Sequence, residues 1–332
     1  MVIGTGLVSA LAIGYCWASI GTRTVEHAPI IDMHFHALAA DDQGPPPVAI
    51  CAPYEIWPTR ETQSTSDDFA GSMFKHAHCS HPIWSAKDDD ELQRTSLAAL
   101  HRYNITAVTS GSPALVKKWH MADPKRILPA VLFGMSDAPT IASLRALRNE
   151  GMLEVIGEIT AQYDGVAPDD QRLEPYWALA EELDIPIGIH VGPGPPGAAY
   201  LGMNHYRMSL TDPLLLESVL VAHPRLRLYV MHAGWPMIDR MIALLYAHPQ
   251  VYVDTGVIDY TQPRAEFHRY LRRLVEAGYG KRVMFGSDQM VWPGVIGPAL
   301  ESIESASFLT PEQKRDIFYN NAARFLRLPG LK

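Results

Sequence analysis

Charged side chains are scarce in this sequence, and they do not form basic runs. Asp, Glu, Lys and Arg make up 19% of the 332 residues, the formal net charge is −8, and no cluster of Lys and Arg of the nucleic-acid-binding type occurs. A nucleic-acid partner is therefore not expected. Hydrophobic residues account for 47% of the chain, which is typical of a globular protein with a large core and excludes disorder as its main state.

Charge is missing altogether between Val2 and Gly21. A run of this length predicts a signal peptide or a membrane anchor over residues 1–22. The basic segment that usually precedes a signal-peptide core is also missing, so a buried N-terminal helix of a cytoplasmic enzyme is the alternative. The first interpretation predicts a periplasmic or secreted protein, or one held at a membrane through residues 2–21.

Cysteine is rare as well, with only three residues at Cys16, Cys51 and Cys79, and no Cys-x-x-Cys pair of the structural zinc type occurs. If Cys16 leaves with the leader, Cys51 and Cys79 remain as an even pair for an oxidising compartment. The sequence favours a disulfide between them. The competing hypothesis is that Cys79 binds a metal together with the neighbouring histidines of residues 76–81.

Regular apolar runs alternate with helical patterns through most of the chain. The predicted strands begin with one that starts at Ile30 and continue with residues 105–109, 127–133, 153–159, 186–190, 227–232, 251–254 and 283–285. Alternation of this kind predicts an α/β fold, a (β/α)8 TIM barrel over residues 28–332, with an open doubly wound sheet as the alternative.

One long stretch, residues 41–86, is polar, rich in Pro and without clear periodicity. Because it follows the first strand, its base must lie at the carboxyl-terminal face of the barrel. We predict a lid-like insertion whose apolar underside is made by aromatic residues, namely Tyr54, Trp57, Phe74 and Trp84.

Metal-ligand residues end several of the predicted strands. His34 and His36 are two residues apart, so both imidazoles point to one side of an extended strand. Candidate ligands also end four later strands: Glu158, His190, His232 and Asp288. Their positions on strands spread along the chain favour a ring of strands over an open sheet.

Seven motifs carry a resemblance to the amidohydrolase superfamily, in particular to its aminocarboxymuconate-semialdehyde decarboxylase-like branch. They are Asp32-Met-His-Phe-His36, Ile156-Gly-Glu158, Ile189-His-Val-Gly192, Met231-His-Ala-Gly-Trp-Pro236, Tyr252-Val-Asp-Thr255, Phe285-Gly-Ser-Asp288 and Asn320-Asn-Ala-Ala-Arg-Phe325.

The resemblance implies one divalent metal, with zinc expected and manganese as the alternative. Its ligands would be His34, His36, His190 and Asp288. The carboxylate of Asp288 would also accept a proton from the nucleophilic water, and His232 would either bind a second metal or polarise the substrate carbonyl.

Lysine is absent between Lys125 and Lys281, which excludes the carboxylated lysine that bridges two metals in many members of the superfamily. Glu158 lies in the corresponding strand. Its carboxylate would either bridge two metals or orient a ligand histidine by a hydrogen bond. One metal or two therefore both fit the sequence.

The expected activity is hydrolysis of a C–O or C–N bond in a small molecule such as a lactone, ester or amide. Non-oxidative decarboxylation is the first alternative, and a catalytically silent barrel that acts as a binding protein is the second. The predicted substrate contacts are Tyr163, His205, Arg207, Trp235 and Trp292. The sequence leaves open whether the chain forms a homo-oligomer.

Overall fold

The computed structural model describes residue 1 and residues 27–328. Within this part of the chain the strands are β1 Ile30–Ala37, β2 Ala49–Ile50, β3 Ile83–Trp84, β4 Ile105–Gly111, β5 Ile127–Phe133, β6 Val155–Ile159, β7 Ile187–His190, β8 Leu228–Met231, β9 Tyr252–Asp254 and β10 Val283–Met284. The predicted leader over residues 1–22 lies outside the described residues, apart from Met1, and stays a prediction.

Eight parallel strands form a nearly closed barrel in the order β1, β4, β5, β6, β7, β8, β9, β10. Two backbone hydrogen bonds join its ends, from Met33 N to Phe285 O at 2.9 Å and from Asp288 N to His34 O at 2.6 Å. The prediction of a TIM barrel is confirmed.

Helices connect the strands. Their bounds are α1 Ser66–Phe74, α2 Asp89–Arg102, α3 Pro113–Ala122, α4 Ile141–Asn149, α5 Glu174–Leu183, α6 Glu217–Ala222, α7 Ile238–Ala247, α8 Ile258–Thr261, α9 Arg264–Leu274, α10 Ile296–Glu304, α11 Pro311–Arg315 and α12 Asn321–Leu326. Side-chain caps fix several starts, as where Asp88 accepts a hydrogen bond from Glu91 N. No helix of the described residues is both long and apolar enough to cross a membrane.

The core has two parts. The larger one fills the space between the strands and the surrounding helices. The smaller one lies inside the barrel, where Ile31 and Met33 pack with residues of other strands and with Phe325 of α12. This apolar plug closes one end of the barrel, so polar side chains that point inward are confined to the carboxyl-terminal end of the strands.

A register shift in β1 explains how this strand contributes side chains both to the apolar inner core and to the polar end of the barrel. The pairing of β1 with β4 is irregular between Asp32 and Phe35. Met33 belongs to the inner core, whereas Phe35 packs on the outer one. The irregularity lets His34 follow Met33 directly and still point into the barrel, which strict alternation would forbid.

The insertion after β1 is more regular than its sequence indicates. It contains the antiparallel pair β2–β3 and the nine-residue helix α1. The expectation of an irregular segment is therefore wrong for Ser66–Phe74, where Thr65 and Asp68 form a capping box. The disulfide Cys51–Cys79 is present, so that prediction is confirmed. Trp84 is 49% exposed.

Candidate metal centre

All six predicted ligand residues converge at the carboxyl-terminal end of the barrel. His34 and His36 lie in β1, Glu158 in β6 and His190 at the end of β7. His232 directly follows β8, and Asp288 lies four residues after the end of β10. Each of the six is at most 5% exposed. The strand ends of a parallel barrel meet at one face, and this geometry explains why residues far apart in sequence come together.

One group of ligand atoms surrounds the Nε2 atoms of the two β1 histidines. The Oδ1 atom of Asp288 lies 2.9 Å from His36 Nε2 and 3.7 Å from His34 Nε2. The Oε2 atom of Glu158 lies 3.4 Å from His34 Nε2 and 3.5 Å from His36 Nε2. Ligands of a tetrahedral zinc ion with bonds of about 2.0–2.1 Å are roughly 3.3 Å apart, so these separations suit a metal.

A second group lies on the other side of Glu158. Its Oε1 atom is 2.7 Å from His190 Nδ1 and 3.5 Å from His232 Nε2. The two imidazoles approach each other to 3.1 Å between His232 Nε2 and His190 Nδ1. These three side chains could also hold a metal ion.

The two oxygens of Glu158 thus face two different ligand groups. The arrangement differs from the single-metal set that the resemblance implied, because His190 lies with Glu158 and His232 and not with the β1 histidines. The sequence left two roles open for Glu158, bridging two metals or orienting a ligand histidine. The structure shows a contact of 2.7 Å between Oε1 and His190 Nδ1 and places Oε2 beside the Nε2 atoms of the β1 histidines.

Hydrogen bonds orient three of the histidines. His232 Nδ1 donates to the carbonyl of Gly256 at 2.9 Å, and His36 Nδ1 lies 3.0 Å from Ser110 Oγ. His34 Nδ1 lies 3.4 Å from both carboxylate oxygens of Asp254. Fixing Nδ1 in this way leaves Nε2 of each ring pointing at the centre, as in known metal sites.

Asp254 is the site residue that sequence reasoning missed. Besides His34, its Oδ1 accepts hydrogen bonds from the amides of His232 at 3.2 Å and Gly256 at 2.8 Å. A signal was available, because Asp254 ends an apolar strand as the predicted ligands do. Nothing in the pattern distinguishes a ligand from a residue that supports one.

Two further side chains connect β1 to the segment that carries Asp288. Asp32 Oδ1 accepts from the amides of His34 at 3.0 Å and Ser287 at 2.9 Å. Gln289 bonds the backbone of His36 twice, at 3.0 Å and 2.6 Å. These contacts hold the β1 histidines in register with Asp288. Burial raises the pKa of Asp32 to about 7 despite its hydrogen bonds.

The electrostatics of the centre favour a bound cation. Burial alone would raise the pKa of Glu158, yet the charge on His34 and hydrogen bonds from His190 and His232 lower it well below its ordinary value. The pKa of Asp288 is likewise lowered against burial, by His34 and His36. Both carboxylates are therefore ionised at neutral pH, as metal ligands must be.

The protonation of His34 also favours a bound cation. Burial opposes a charge on His34, but Asp288, Asp254 and Glu158 raise its pKa well above the ordinary value. The buried Nε2 atom of His34 nonetheless has no hydrogen-bond partner among the described residues. A divalent cation would compensate the same carboxylates as a proton on His34 and would give this atom a partner.

Two of the six residues have left-handed backbone conformations, with φ of 58° at His232 and 47° at Asp288. Such conformations cost non-glycine residues about 1–3 kcal/mol each and persist where the surrounding structure imposes them, frequently at active sites. Here they turn the chain sharply at the strand ends and direct both side chains into the centre.

Above the centre lies a cavity of about 1120 Å³. His36, Glu158, His190, His232 and Asp288 form its floor. Four predicted substrate contacts line its walls: Tyr163, Arg207, Trp235 and Trp292.

The fifth predicted contact, His205, is exposed and does not line the cavity; its Cβ lies near Gly165. Tyr54, Trp57 and Phe74 of the insertion also line the cavity, whereas Trp84 does not.

Comparison with known proteins gives the family and the fold. The sequence profile of the family described as Amidohydrolase matches residues 31–328. No curated protein sequence matches the chain significantly.

Solved structures of the same fold include an amidohydrolase from Burkholderia multivorans with bound zinc, 18% identical, with a TM-score of 0.56 over 91% of this chain and 100% of that one. A 2,6-dihydroxybenzoate decarboxylase complexed with 2,6-dihydroxybenzoate is 14% identical, with a TM-score of 0.55 over 90% and 99%. A probable 2-pyrone-4,6-dicarboxylic acid hydrolase from Acinetobacter baumannii with citric acid bound is 13% identical, with a TM-score of 0.54 over 90% and 100%. The profile match covers most of the chain, and the chain belongs to the amidohydrolase family.

Proposed function

We propose that the protein is a metal-dependent hydrolase that cleaves a C–O or C–N bond of a lactone, ester or amide. The observation that carries this proposal is the position of Glu158, whose two carboxylate oxygens face two groups of ligands at the floor of a large cavity. Water that enters this cavity meets ionised carboxylates and imidazole lone pairs at one point.

We propose two divalent metal ions, most simply zinc, with Glu158 between them. His34, His36 and Asp288 would hold one ion, and His190 and His232 the other; imidazole and carboxylate ligands suit zinc, and manganese is the alternative. Such an ion lowers the pKa of a bound water to about 7 and polarises a carbonyl group.

The tautomer of His232 supports its role as a ligand. A carbonyl oxygen can only accept, so the bond to Gly256 O requires a proton on His232 Nδ1. In the neutral ring that a metal requires, Nε2 then carries a lone pair, and it points at Glu158 and His190. This geometry favours a metal ligand over a donor that polarises the substrate carbonyl.

Asp288 is the proposed proton acceptor. Its carboxylate lines the cavity and is ionised at neutral pH because His34 and His36 hold its pKa below the usual range against burial. It therefore takes a proton from the attacking water and returns it to the leaving group.

Decarboxylation of a small carboxylic acid is the second candidate, and Arg207 favours it. Arg207 lines the cavity, and its guanidinium could pair with a carboxylate. An assay of purified protein against ester, lactone and amide panels, with carbon dioxide release measured in parallel on aromatic acids, separates the two. Release of carbon dioxide without hydrolysis of any panel member would overturn the hydrolase proposal.

We expect Asp254→Asn to weaken metal binding by about 10–100-fold, the usual effect of losing a carboxylate that supports a ligand histidine. The substitution keeps the side-chain volume and removes the charge beside His34 Nδ1. Competition with a chromogenic chelator measures the affinity, with the exposed Asp90→Asn as the matched control. Equal affinities in the two variants would show that Asp254 does not support the centre.

The disulfide-linked insertion is proposed as a fixed wall of the substrate site. Cys51 and Cys79 close a loop of 28 residues, and such a link stabilises by about 3–4 kcal/mol in the loop-entropy picture. Replacing both cysteines by serine should leave the barrel folded and metal-loaded but raise KM or broaden specificity, because Tyr54, Trp57 and Phe74 lose their support. Circular dichroism, metal content and KM are the measurements; unchanged kinetics would remove the insertion from the site.

Export to the periplasm or beyond the cell remains our proposal for location, supported by a disulfide of the kind that persists in oxidising compartments. Mass spectrometry of the protein isolated from its own cells tests it. A mature chain that starts near residue 22 is expected, and an intact chain with reduced thiols in the cytoplasm would contradict export.

A further inference from the structure

The volume of the cavity indicates the minimum size of a substrate that would fill it. Its volume of about 1120 Å³ exceeds the range of about 300–1,000 Å³ that is typical of sites for drug-sized ligands. A molecule as small as a single substituted ring would leave most of this space to water. We propose that the substrate is a large, predominantly apolar ester, lactone or amide that carries at most one acidic group, an inference that rests on the proposed hydrolase function.

Stacked aromatic rings in the walls of the cavity favour an apolar ligand. On the side of the insertion, the rings of Tyr54 and Trp57 stack with their centroids 4.7 Å apart. A second pair of rings in the lining is formed by Tyr163, which stacks on Tyr206 with centroids 5.3 Å apart, and the hydroxyl of Tyr206 accepts a hydrogen bond from the amide of Gly194. Pairs of packed rings present flat, rigid apolar faces at little entropic cost on binding.

Cationic groups are almost missing from these walls. Among the described residues that line the cavity, Arg207 is the only lysine or arginine. Its Nη1 atom donates to the carbonyls of Asn204 and Tyr206 at 2.9 Å and 2.7 Å, which fixes its position in the loop. One fixed guanidinium can pair with one carboxylate, and a second carboxylate held among these walls, away from the metal centre, would have no cationic partner.

Apolar surface continues from the cavity to the outside. Tyr200 and Met208 line the cavity and are still 55% and 40% exposed. Ile56, which precedes Trp57 in the chain, is 71% exposed. Exposed apolar side chains that border one opening mark a contact for an apolar ligand, so the substrate extends from the centre into the mouth.

Turnover of a graded series tests the proposal on the active enzyme. The zinc-loaded protein is assayed with 4-nitrophenyl esters of acetic, 4-phenylbutyric and 6-(2-naphthyl)hexanoic acid. The monoesters of glutaric acid, with one free carboxylate, and of propane-1,2,3-tricarboxylic acid, with two, complete the series. We expect kcat/KM to rise at least tenfold from acetate to the largest aryl ester. A preference for acetate, or for substrates with two acidic groups, would overturn the proposal.

Binding to an inactive variant separates this inference from the proposed chemistry. Ketones that match the esters in shape are titrated into zinc-loaded Asp288→Asn protein, and tryptophan fluorescence reports Kd. We expect the largest aryl ketone to bind at least tenfold more tightly than the smallest. If this holds while no ester, lactone or amide is hydrolysed by the native enzyme, the large apolar character of the ligand stands and the hydrolase proposal fails. Equal affinities across the series would overturn the substrate class whether or not hydrolysis occurs.

A narrowing substitution provides the matched variant. Ala199 lines the cavity, and Ala199→Phe would place a ring inside it. We expect the ratio of Kd values for the smallest and largest ketones to fall at least fivefold. The control is Ala142→Phe, at an exposed position of α4 outside the lining. An unchanged ratio in Ala199→Phe would show that the ligands do not occupy the cavity.

Discussion

Replacing Asp288 by asparagine is expected to lower kcat by about 10²–10⁴-fold, the usual contribution of a general base. The amide keeps an oxygen near His36 Nε2, where the carboxylate now lies at 2.9 Å, and therefore keeps part of the metal. It cannot accept a proton at neutral pH. Steady-state kinetics and metal content measured on the same preparation separate the two effects.

The control for this substitution is Asp90→Asn, which removes an exposed carboxylate that pairs with Lys118 on the surface. A surface ion pair of this kind contributes little to the stability of the fold. The activity and metal content of Asp90→Asn should therefore equal those of the native protein. Full activity in Asp288→Asn would refute the assignment of Asp288 as the base.

The second large effect is expected from His190→Ala. In the proposed centre His190 would supply one of the few ligand atoms of the second group. Burial and the neighbouring His232 lower its pKa, so the ring is neutral and available to a metal. Its loss should remove about one of two metal ions and abolish turnover, a larger effect than the roughly 10–100-fold that loss of an outer partner costs.

His101→Ala is the matched control, since His101 is exposed on α2 and pairs only with Asp123 at the surface. Metal content by mass spectrometry and turnover are measured for both variants. Native metal content in His190→Ala would show that the second group does not hold an ion, and full activity would remove His190 from the site.

The sequence was sufficient to predict the barrel and the residues that meet at its carboxyl-terminal end. The predicted ligands lie at or near the carboxyl-terminal ends of apolar strands, and the geometry of parallel strands then requires these ends to share one face. His34 and His36 both face the centre, as alternation along β1 predicts. Alternation does not predict the irregular register after Asp32, which lets Met33 and His34 both face the inside of the barrel.

Contacts that depend on distances of a few ångströms could not be predicted from the sequence. Whether His190 lies with the β1 histidines or with His232 is decided by the directions of side chains from strands of different length and tilt. The contact of Asp254 with His34 is of the same kind, because a supporting carboxylate and a ligand carboxylate look alike in one chain. In the insertion, the capping box of Thr65 and Asp68 was a readable signal for α1.

The number of metal ions bound per chain tests the account most directly. The protein is purified without added metal and without chelators, then analysed by inductively coupled plasma mass spectrometry, alongside Glu158→Gln. We predict about two equivalents of zinc or manganese in the native protein and a loss of at least one in the variant, because Glu158 faces both ligand groups. One equivalent that Glu158→Gln leaves unchanged would contradict the bridging role of Glu158, and native protein that binds no divalent metal even after incubation with zinc would contradict the account as a whole.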